Sequence, residues 1–371
     1  IVPGAEDRVV ENGRHIWVEV AANPVRGSPN YRFILRTNAV RAILERYAPA
    51  VIESLCPWIL PWTAIGYRRS RLGTALVAGW HTDFPNAHVY RVSQDLMGDT
   101  FARAMRKLSE GYAEVTYRAF DRVYVLEEKM RAELARYRIE HVDVLNLGVD
   151  TARFDPARRD PGYRARMGIT IDGPLLIYLG RVDNEKRIDD LVAMMRQLPK
   201  SLGASLVVYG SGKRLDALRE ETADLPIVWR GFCDDRLELA TALASSDIYV
   251  SAMADETFGL SVIEAQASGL PVVGVASGAM PIRVPEGLGR LGPVGDAAAM
   301  AANVQAAWQD DPRATGLRAR AHVAERFGWD QTFDRLIGTV YASALQAADR
   351  RVAASVRTSG RRREAARKIP A

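Results

Sequence analysis

Two stretches of this sequence carry side chains suited to a phosphorylated, polyhydroxylated ligand. In LLIYLGRVDNEKRIDDLV an apolar run ends at Gly180, and Arg181 and Lys186 follow before a helical pattern begins. A glycine at such a point lets backbone approach a ligand closely. A planar guanidinium fork and a compact ammonium together suit a diphosphate. The competing reading is a solvated turn in which Arg181 and Lys186 pair with Asp183 and Glu185, since surface ion pairs are common and contribute little. In ADETFGLSVIEAQASGLPVV, Glu256 and Glu264 stand on either side of Gly259. A helix from about Leu260 to Ala267, closed by Gly269-Leu270-Pro271, leaves free amides at its start that hold anions. Glu264, one turn into that helix, offers two oxygens to paired ribose hydroxyls, as an acid does in dinucleotide folds. Glu256, on the loop, suits the hydroxyls of a second sugar. The plain alternative for Glu264 is an exposed helical carboxylate.

The elements that must position these groups alternate between strand and helix. Short β-branched runs fall at 16–20, 50–54, 74–79, 122–126 and 142–145, then at 175–179, 205–209, 226–229, 247–251 and 271–275. Between them lie helical patterns. FARAMRKLSEGYAEVTYRAF is the clearest, with Phe101, Met105, Leu108, Tyr112 and Val115 on one face. This repetition predicts an α/β protein of two doubly wound halves with parallel sheets covered on both faces. The halves span 1–150 and 151–329, joined through NLGVDTARFDPARRDPGY (146–163), whose proline, glycine and charge read as a linker. A last helix over 330–349 follows FGWD, and a disordered basic tail occupies 350–371. Ligands bind beyond the carboxyl ends of parallel strands. Those ends carry Glu53 and Ser54, Trp80 and His81, Gly180 and Arg181, Gly210 to Gly212, Ser251, and Ser277 with Gly278, which predicts a common cleft between the halves. IVPG at the start reads as a strand end already inside a sheet, so the first half is expected to be incomplete by at least one strand–helix unit.

Composition narrows the function. The chain has 371 residues, 48% of them hydrophobic, enough for two packed domains. Cys56 and Cys233 have no metal or redox spacing and read as two reduced thiols of a cytoplasmic protein. From Arg350 onward there are eight basic residues against one acid, a net charge of +7, which leaves −2 for the rest of a chain whose total is +5. The body is therefore close to neutral, which argues against nucleic acid as a partner. The basic tail, with the aromatic stretch Trp58 to Trp62, points instead to an anionic membrane surface and a lipid acceptor. No apolar run is long enough to span a bilayer, CPWILPWTAIGY (56–67) being short and broken by Pro57 and Pro61.

YLGRVDNEKRIDDLV, VVYGSGKRLDAL, DIYVSAMADETFGLSVIEAQASGLPVV and FGWD, in that order, resemble the retaining glycosyltransferases of family four, which have the GT-B fold. The spacing of Glu256 and Glu264 matches that family's signature, and the resemblance covers nearly all of 142–345. HTDFP (81–85) and NLGVDTARF (146–154) extend it more loosely, toward bacterial mannosyltransferases and sulfoquinovosyl- or glucosyl-lipid synthases. The resemblance implies that Arg181 and Lys186 bind the donor diphosphate, with Gly180, Gly210 and Gly212 in the backbone beside it. It implies that Glu264 binds the ribose, and that Glu256, with backbone from Phe258 through Gly259 and Leu260 to Ser261, binds the donor sugar. His81 would sit at the sugar from the opposite domain, and Arg230 with Phe232 would flank the base. The substrate would be a nucleotide sugar of UDP or GDP type, with no cofactor and no metal, because cations and helix amides neutralise the phosphates. Three departures stand out: the glycine-rich acceptor loop is absent, Arg283 stands where relatives show an acid, and Glu127 where a serine is common.

The reaction implied is hexosyl transfer with retention at the anomeric carbon, to a lipid or glycan acceptor, by a cytoplasmic protein peripheral on the inner face of the membrane. No second carboxylate is placed as a nucleophile, unlike the paired acids of glycosidases. A front-face displacement, in which the leaving phosphate takes the acceptor proton, fits better than a covalent intermediate. Two rivals stand beside it: an inactive donor-binding fragment, and another GT-B enzyme such as a sugar-nucleotide epimerase or a phosphorylase.

Overall fold

The computed structural model describes the chain except residues 26, 27, 82 and 368–371; beyond residue 358 only the helical backbone is described. Thr82 of the HTDFP motif and Lys368 of the basic tail therefore lie outside the described residues. The chain folds as two units, Ile1–Leu145 with Phe333–Ala371, and Asn146–Thr332.

In unit 1, β1 (Val2–Gly4), β2 (Arg8–Asn12) and β3 (His15–Ala21) form one sheet in the order β1-β3-β2. The opening strand lies in a sheet as expected, parallel to β3. The run at 16–20 is strand too, but it also pairs antiparallel with β2, the two turning at Gly13 (φ 59°) between Asn12 and His15. A two-residue loop, Gly13-Arg14, with glycine first at positive φ is a tight hairpin connection, and it overrides the strand–helix–strand rhythm here. After a two-stranded ribbon of β4 (Pro24–Val25) and β5 (Ser28–Arg32) come β6 (Val51–Ser54), β7 (Ala75–Trp80), β8 (Arg122–Val125) and β9 (Val142–Val144). These four are parallel throughout.

Unit 2 holds one parallel sheet of β10 (Leu175–Leu179), β11 (Ser205–Tyr209), β12 (Ile227–Gly231), β13 (Ile248–Ser251), β14 (Val272–Val275) and β15 (Gly289–Gly292). Its order, β12-β11-β10-β13-β14-β15, shows why β10, β11, β13 and β14 read as unbroken apolar runs. Each is buried on both faces, as strands of a covered parallel sheet must be. The chain winds outward from β10 through β11 to β12, then crosses back to β13 on the other side of β10. The order reverses between β10 and β13, and the crevice beyond their carboxyl ends is the natural ligand position.

Three expectations change. The helix predicted from FARAMRKLSEGYAEVTYRAF spans Asp99–Tyr117, but the face it buries carries Ala102, Ser109, Ala113, Thr116 and Tyr117. Phe101, Leu108 and Val115 are exposed; the small residues let this helix approach its neighbours closely, whereas the large apolar ones are left on the outside. The stretch 146–163 is no solvated linker: Val149, Phe154 and Tyr163 are buried within unit 2. Arg320 fastens it, donating to the carbonyls of Phe154 and Thr151 and pairing with Asp155. Of the predicted disordered tail at 350–371, the described part to Arg367 continues the last helix, Ala342–Arg367. The last helix, which the sequence leaves unplaced, packs on unit 1. Val340, Ala344 and Ala348, spaced one turn apart, pack on Ala75, Val77 and Tyr124.

One residue of the expected tail is a clamp. Arg351 donates to the carbonyls of Leu72 (3.1 Å) and Thr74 (3.1 Å) and pairs with Asp121 at 2.6 Å. Hydrogen bonds involving a charged group contribute about 1.5–3 kcal/mol each. With its side chain a quarter exposed, Arg351→Ala is expected to cost about 2 kcal/mol in all. A lower denaturant midpoint at unchanged slope would show it, and an unaltered midpoint would contradict the clamp.

Candidate functional site

The crevice beyond β10 and β13 is shaped first by glycines. Two strand-end loops meet there backbone to backbone: Gly180 N–H donates to Tyr209 O at 3.0 Å, and Val182 N–H to Ser211 O at 2.9 Å. A Cβ on Gly210 would fall 1.7 Å from Gly180 O, and one on Gly212 would fall 2.2 Å from Val182 O. Gly210 and Gly212 are thus required by the packing of the two loops on each other, whatever ligand lies above them.

Lys186 and the two glutamates converge on the same crevice. The Lys186 ammonium lies 3.4 Å from Glu256 Oε2 and donates to Met253 Sδ at 2.7 Å. The other oxygen, Oε1, accepts the Gly259 N–H at 3.0 Å. Gly259 holds a left-handed conformation (φ 83°) at the start of the helix Leu260–Ala267, a position that suits glycine. Tyr249 ties the first turn of this helix to β10: its hydroxyl lies 2.8 Å from Ser261 Oγ and 3.3 Å from Leu179 O. Glu264, only 6% exposed, forms a salt bridge with Arg236. Burial pushes its carboxyl pKa up and Arg236 pulls it back. A buried, paired carboxylate is not the exposed helical glutamate that the plain alternative describes.

Other predicted residues divide. Arg181 forms the surface pairs of its competing reading, with Asp183 at 2.5 Å and Glu185 at 2.8 Å, whereas Lys186 does not. Arg230 pairs with Glu238 at 3.2 Å and lies over the Tyr209 ring. Phe232 beside it is 74% exposed, a free aromatic face. Phe258 is buried, so only its backbone is available to a ligand. Leu260 is partly exposed at the helix start.

In unit 1 the polar group sits at the carboxyl ends of β6 to β8. His81 Nε2 lies 3.1 Å from the Tyr124 hydroxyl, which in turn donates to Glu53 Oε1; Tyr341 donates to Glu53 Oε2. With its hydrogen committed to Glu53, the Tyr124 oxygen accepts from His81 Nε2–H, which leaves Nδ1 as the open lone pair of the neutral ring. The ring folds back over Gly79, where a Cβ would meet Nε2 at 2.5 Å. Burial pushes the His81 pKa down and the Glu53 carboxylate opposes it. Among the described residues no three His, Cys, Asp or Glu side chains are grouped to hold a metal ion.

Comparison with known proteins accounts for this arrangement. Residues 173–310 match the family described as Glycosyl transferases group 1, and residues 1–153 that described as Glycosyltransferase Family 4. A GDP-mannose-dependent alpha-mannosyltransferase of Mycobacterium tuberculosis is 30% identical over 342 residues, 91% of this chain and 84% of that protein. The chain belongs to the family 4 glycosyltransferases. It is also 28% identical over 247 residues to the sulfoquinovosyl transferase SQD2 of Arabidopsis thaliana, covering 66% of this chain and 46% of that protein. A D-inositol 3-phosphate glycosyltransferase of Streptomyces avermitilis is 32% identical over 307 residues, 76% of this chain and 63% of that protein. The chain thus spans about half to two thirds of the length of these two relatives. Among solved structures, sucrose-phosphate synthase from Thermosynechococcus elongatus superposes with a TM-score of 0.74 at 23% identity, over 93% of this chain and 87% of that one. Anabaena Alr3699/HepE in complex with UDP-glucose gives 0.67 at 17% identity, over 86% and 84%. The fold is GT-B.

Within this family 4 glycosyltransferase, two supports of the signature glutamates and one of Glu53 have roles that the sequence reading does not assign. Arg236, the partner of Glu264, opens the helix Arg236–Ser245 and lies over the Phe154 ring, 28 positions away in the chain from its carboxylate. Arg283 is fully buried between the rings of Phe258 and Phe327, with its Nε–H donating to Phe258 O at 2.7 Å. It braces the loop between the glutamates from behind. Glu127 is likewise buried, at the start of the helix Glu128–Arg136. The third support is Tyr341, whose distance from Glu53 in the chain hides their contact. Its consequence is measurable at His81. Since the Glu53 charge raises the His81 pKa against burial, Glu53→Gln is expected to lower it further, as read by NMR titration of the ring. A rise on that substitution would break the proposed chain of hydrogen bonds.

Proposed function

We propose that this protein moves a hexose from a nucleoside diphosphate sugar of UDP or GDP type to a lipid or glycan acceptor, with retention at the anomeric carbon and without a metal ion. The observation that carries the proposal is the pairing of Lys186 with Glu256 at 3.4 Å, beside the open amides of the helix that Gly259 begins. A cation and backbone donors meet there at one point, next to acids able to hold hydroxyls.

The chemistry follows from that placement. As the anomeric C–O bond breaks, negative charge grows on the β-phosphate, and Lys186 with the amides after Gly259 stabilises it; each such donor contributes on the order of 3–4 kcal/mol to the barrier. The acceptor hydroxyl attacks from the face the phosphate leaves, and its proton passes to a departing phosphate oxygen. Glu264 accepts the ribose hydroxyls, held as a carboxylate by Arg236, and Glu256 offers its remaining lone pairs to the sugar. Arg181 is assigned to the outer diphosphate oxygens, and the exposed Phe232 ring, beside Arg230, to the base, which it stacks on. His81 remains a catalytic residue of this proposal on the family resemblance.

A lipid acceptor is favoured by the surface of unit 1. No helix among the described residues is long and apolar enough to cross a membrane. Leu96 (76% exposed) and Met97 (66%) join Val92, Phe101 and Leu108 on the hairpin of helices Arg91–Met97 and Asp99–Tyr117. An exposed apolar surface of this kind, together with the basic last helix, fits peripheral attachment to an anionic membrane from the cytoplasmic side. It replaces the aromatic stretch in that role, since Trp58 packs against Phe84 at 5.4 Å and, of the two tryptophans there, Trp62 alone is exposed. The relative named as a GDP-mannose-dependent phosphatidylinositol dimannoside mannosyltransferase supports the same choice.

Lys186→Ala is expected to lower turnover on the order of 10²–10³-fold and weaken donor binding in a folded protein. Unchanged kinetics would remove the diphosphate assignment. Glu264→Gln is expected to weaken binding of a free nucleoside diphosphate by calorimetry, whereas Glu256→Gln weakens only the sugar-bearing donor; equal losses for the free nucleotide would reject this division. The Glu264 carboxyl has a raised pKa, so its charged form, and nucleotide affinity with it, is lost as pH falls. Arg236→Gln removes the opposing charge and moves that loss to higher pH.

A further inference from the structure

A second cavity lies in unit 1 at the end of the sheet opposite His81. It has a volume of about 410 Å³ and opens at the amino ends of β8 and β9, beside the last helix. Five guanidiniums line it, those of Arg68, Arg118, Arg122, Arg350 and Arg351, with His141 among them and one carboxylate, Asp121. That carboxylate is already committed. It pairs with Arg351 at 2.6 Å and Arg68 at 3.6 Å and accepts the Leu76 N–H at 2.8 Å. Two further carboxylates reach the rim: Glu114 lies 3.2 Å from Arg118 and is shared with Arg138, and Asp143 lies 3.8 Å from Arg122. Arg350 forms no ion pair among the described residues.

Five lining guanidiniums therefore face at most three carboxylates, an excess of two positive charges. Part of the cluster is withdrawn from water, which would otherwise screen it at little cost, while Arg118 and Arg350 stand exposed at the rim. Arg68 is 16% exposed and Asp121 7%. Burial pushes the Arg68 guanidinium pKa down, Asp121 pulls it up, and the neighbouring Arg351 pushes it down again. Concentrated, partly desolvated guanidiniums bind tetrahedral oxyanions through paired N–H donors. Nothing in the donor chemistry of unit 2 uses this cavity.

We propose that the cavity binds a phosphate ester, the group shared by small phosphorylated metabolites and phospholipid headgroups. A bound phosphate carrying two negative charges neutralises the excess. It would also bridge the last helix, through Arg350 and Arg351, to the start of β8, through Arg122, and so tighten unit 1.

The test uses the full chain, with inorganic phosphate as one probe and vesicles of phosphatidylcholine, alone or mixed with phosphatidic acid, as the other. Wild-type protein is compared with Arg122→Gln/Arg350→Gln, which leaves the Arg68–Asp121–Arg351 cluster in place. At matched ionic strength, binding of one or both probes is expected to weaken at least tenfold in the double variant, while affinity for a free nucleoside diphosphate is unchanged. Loss confined to inorganic phosphate identifies a soluble ester as the source, and loss confined to phosphatidic acid vesicles identifies a lipid headgroup. Should the double variant fail to fold by circular dichroism, the half-exposed Arg118→Gln serves, with at least a threefold loss expected. Failure of both probes to bind wild-type protein, or undiminished binding by the folded variants, overturns the proposal.

Discussion

The Glu256 carboxylate is divided between two partners, and the unit 2 site is arranged around that division. One oxygen holds the Gly259 N–H and fixes the left-handed start of the helix; the other meets the Lys186 ammonium. Neither interaction is strong alone, since both side chains keep some access to water and screening weakens the pair. Together they set the direction of the helix amides and the height of the ammonium with one group. The loop is held from behind as well: Ala279 N–H donates to Glu256 O at 2.7 Å, and a Cβ on Gly278 would lie 2.6 Å from that oxygen.

In the donor-binding role proposed for it, such a site would receive an anion without being dismantled. The ammonium has three hydrogens, of which one is directed to a carboxylate and one to the thioether of Met253. Sulfur is a weak acceptor, so a phosphate oxygen replaces it readily while the bond to Glu256 persists. Arg236 plays the matching part for Glu264. Without it, burial would push this carboxyl further toward its neutral form, a poorer acceptor for hydroxyls. Each of the two acids is thus paired with a cation, Glu256 with Lys186 and Glu264 with Arg236.

Much of this was legible because the signals are local. All ten predicted strands exist, for a run such as LLIYL or SLVVY buried on both faces leaves no polar alternation to misread. The helix after Gly259 was found to the residue by its glycine and by Gly269 beyond. What failed were inferences needing tertiary knowledge. The face of the helix Asp99–Tyr117 was assigned to its largest apolar residues, when Ala102 and Ala113 are the ones buried. The basic composition after Arg350 suggested disorder, yet Arg351 is committed to Asp121. Arg236 and Tyr341 could not be found, because nothing in the spacing from their partners marks a contact. Arg283 was noted only as an anomaly, and its place between two rings explains why a cation is tolerated there.

The return of the last helix to unit 1 bears on how the chain is made. Unit 2 is a single uninterrupted segment, Asn146–Thr332, and has every residue of its sheet in hand before the final helix is synthesised. Unit 1 does not: Ala75, Val77 and Tyr124 wait for Val340, Ala344 and Ala348, more than two hundred residues later. During that interval one face of β7 and β8 lacks its cover, and apolar surface exposed in this way favours aggregation. In a chain of this design the later-encoded half has all its own parts first, and the earlier-encoded half is the one left with apolar surface uncovered until translation ends.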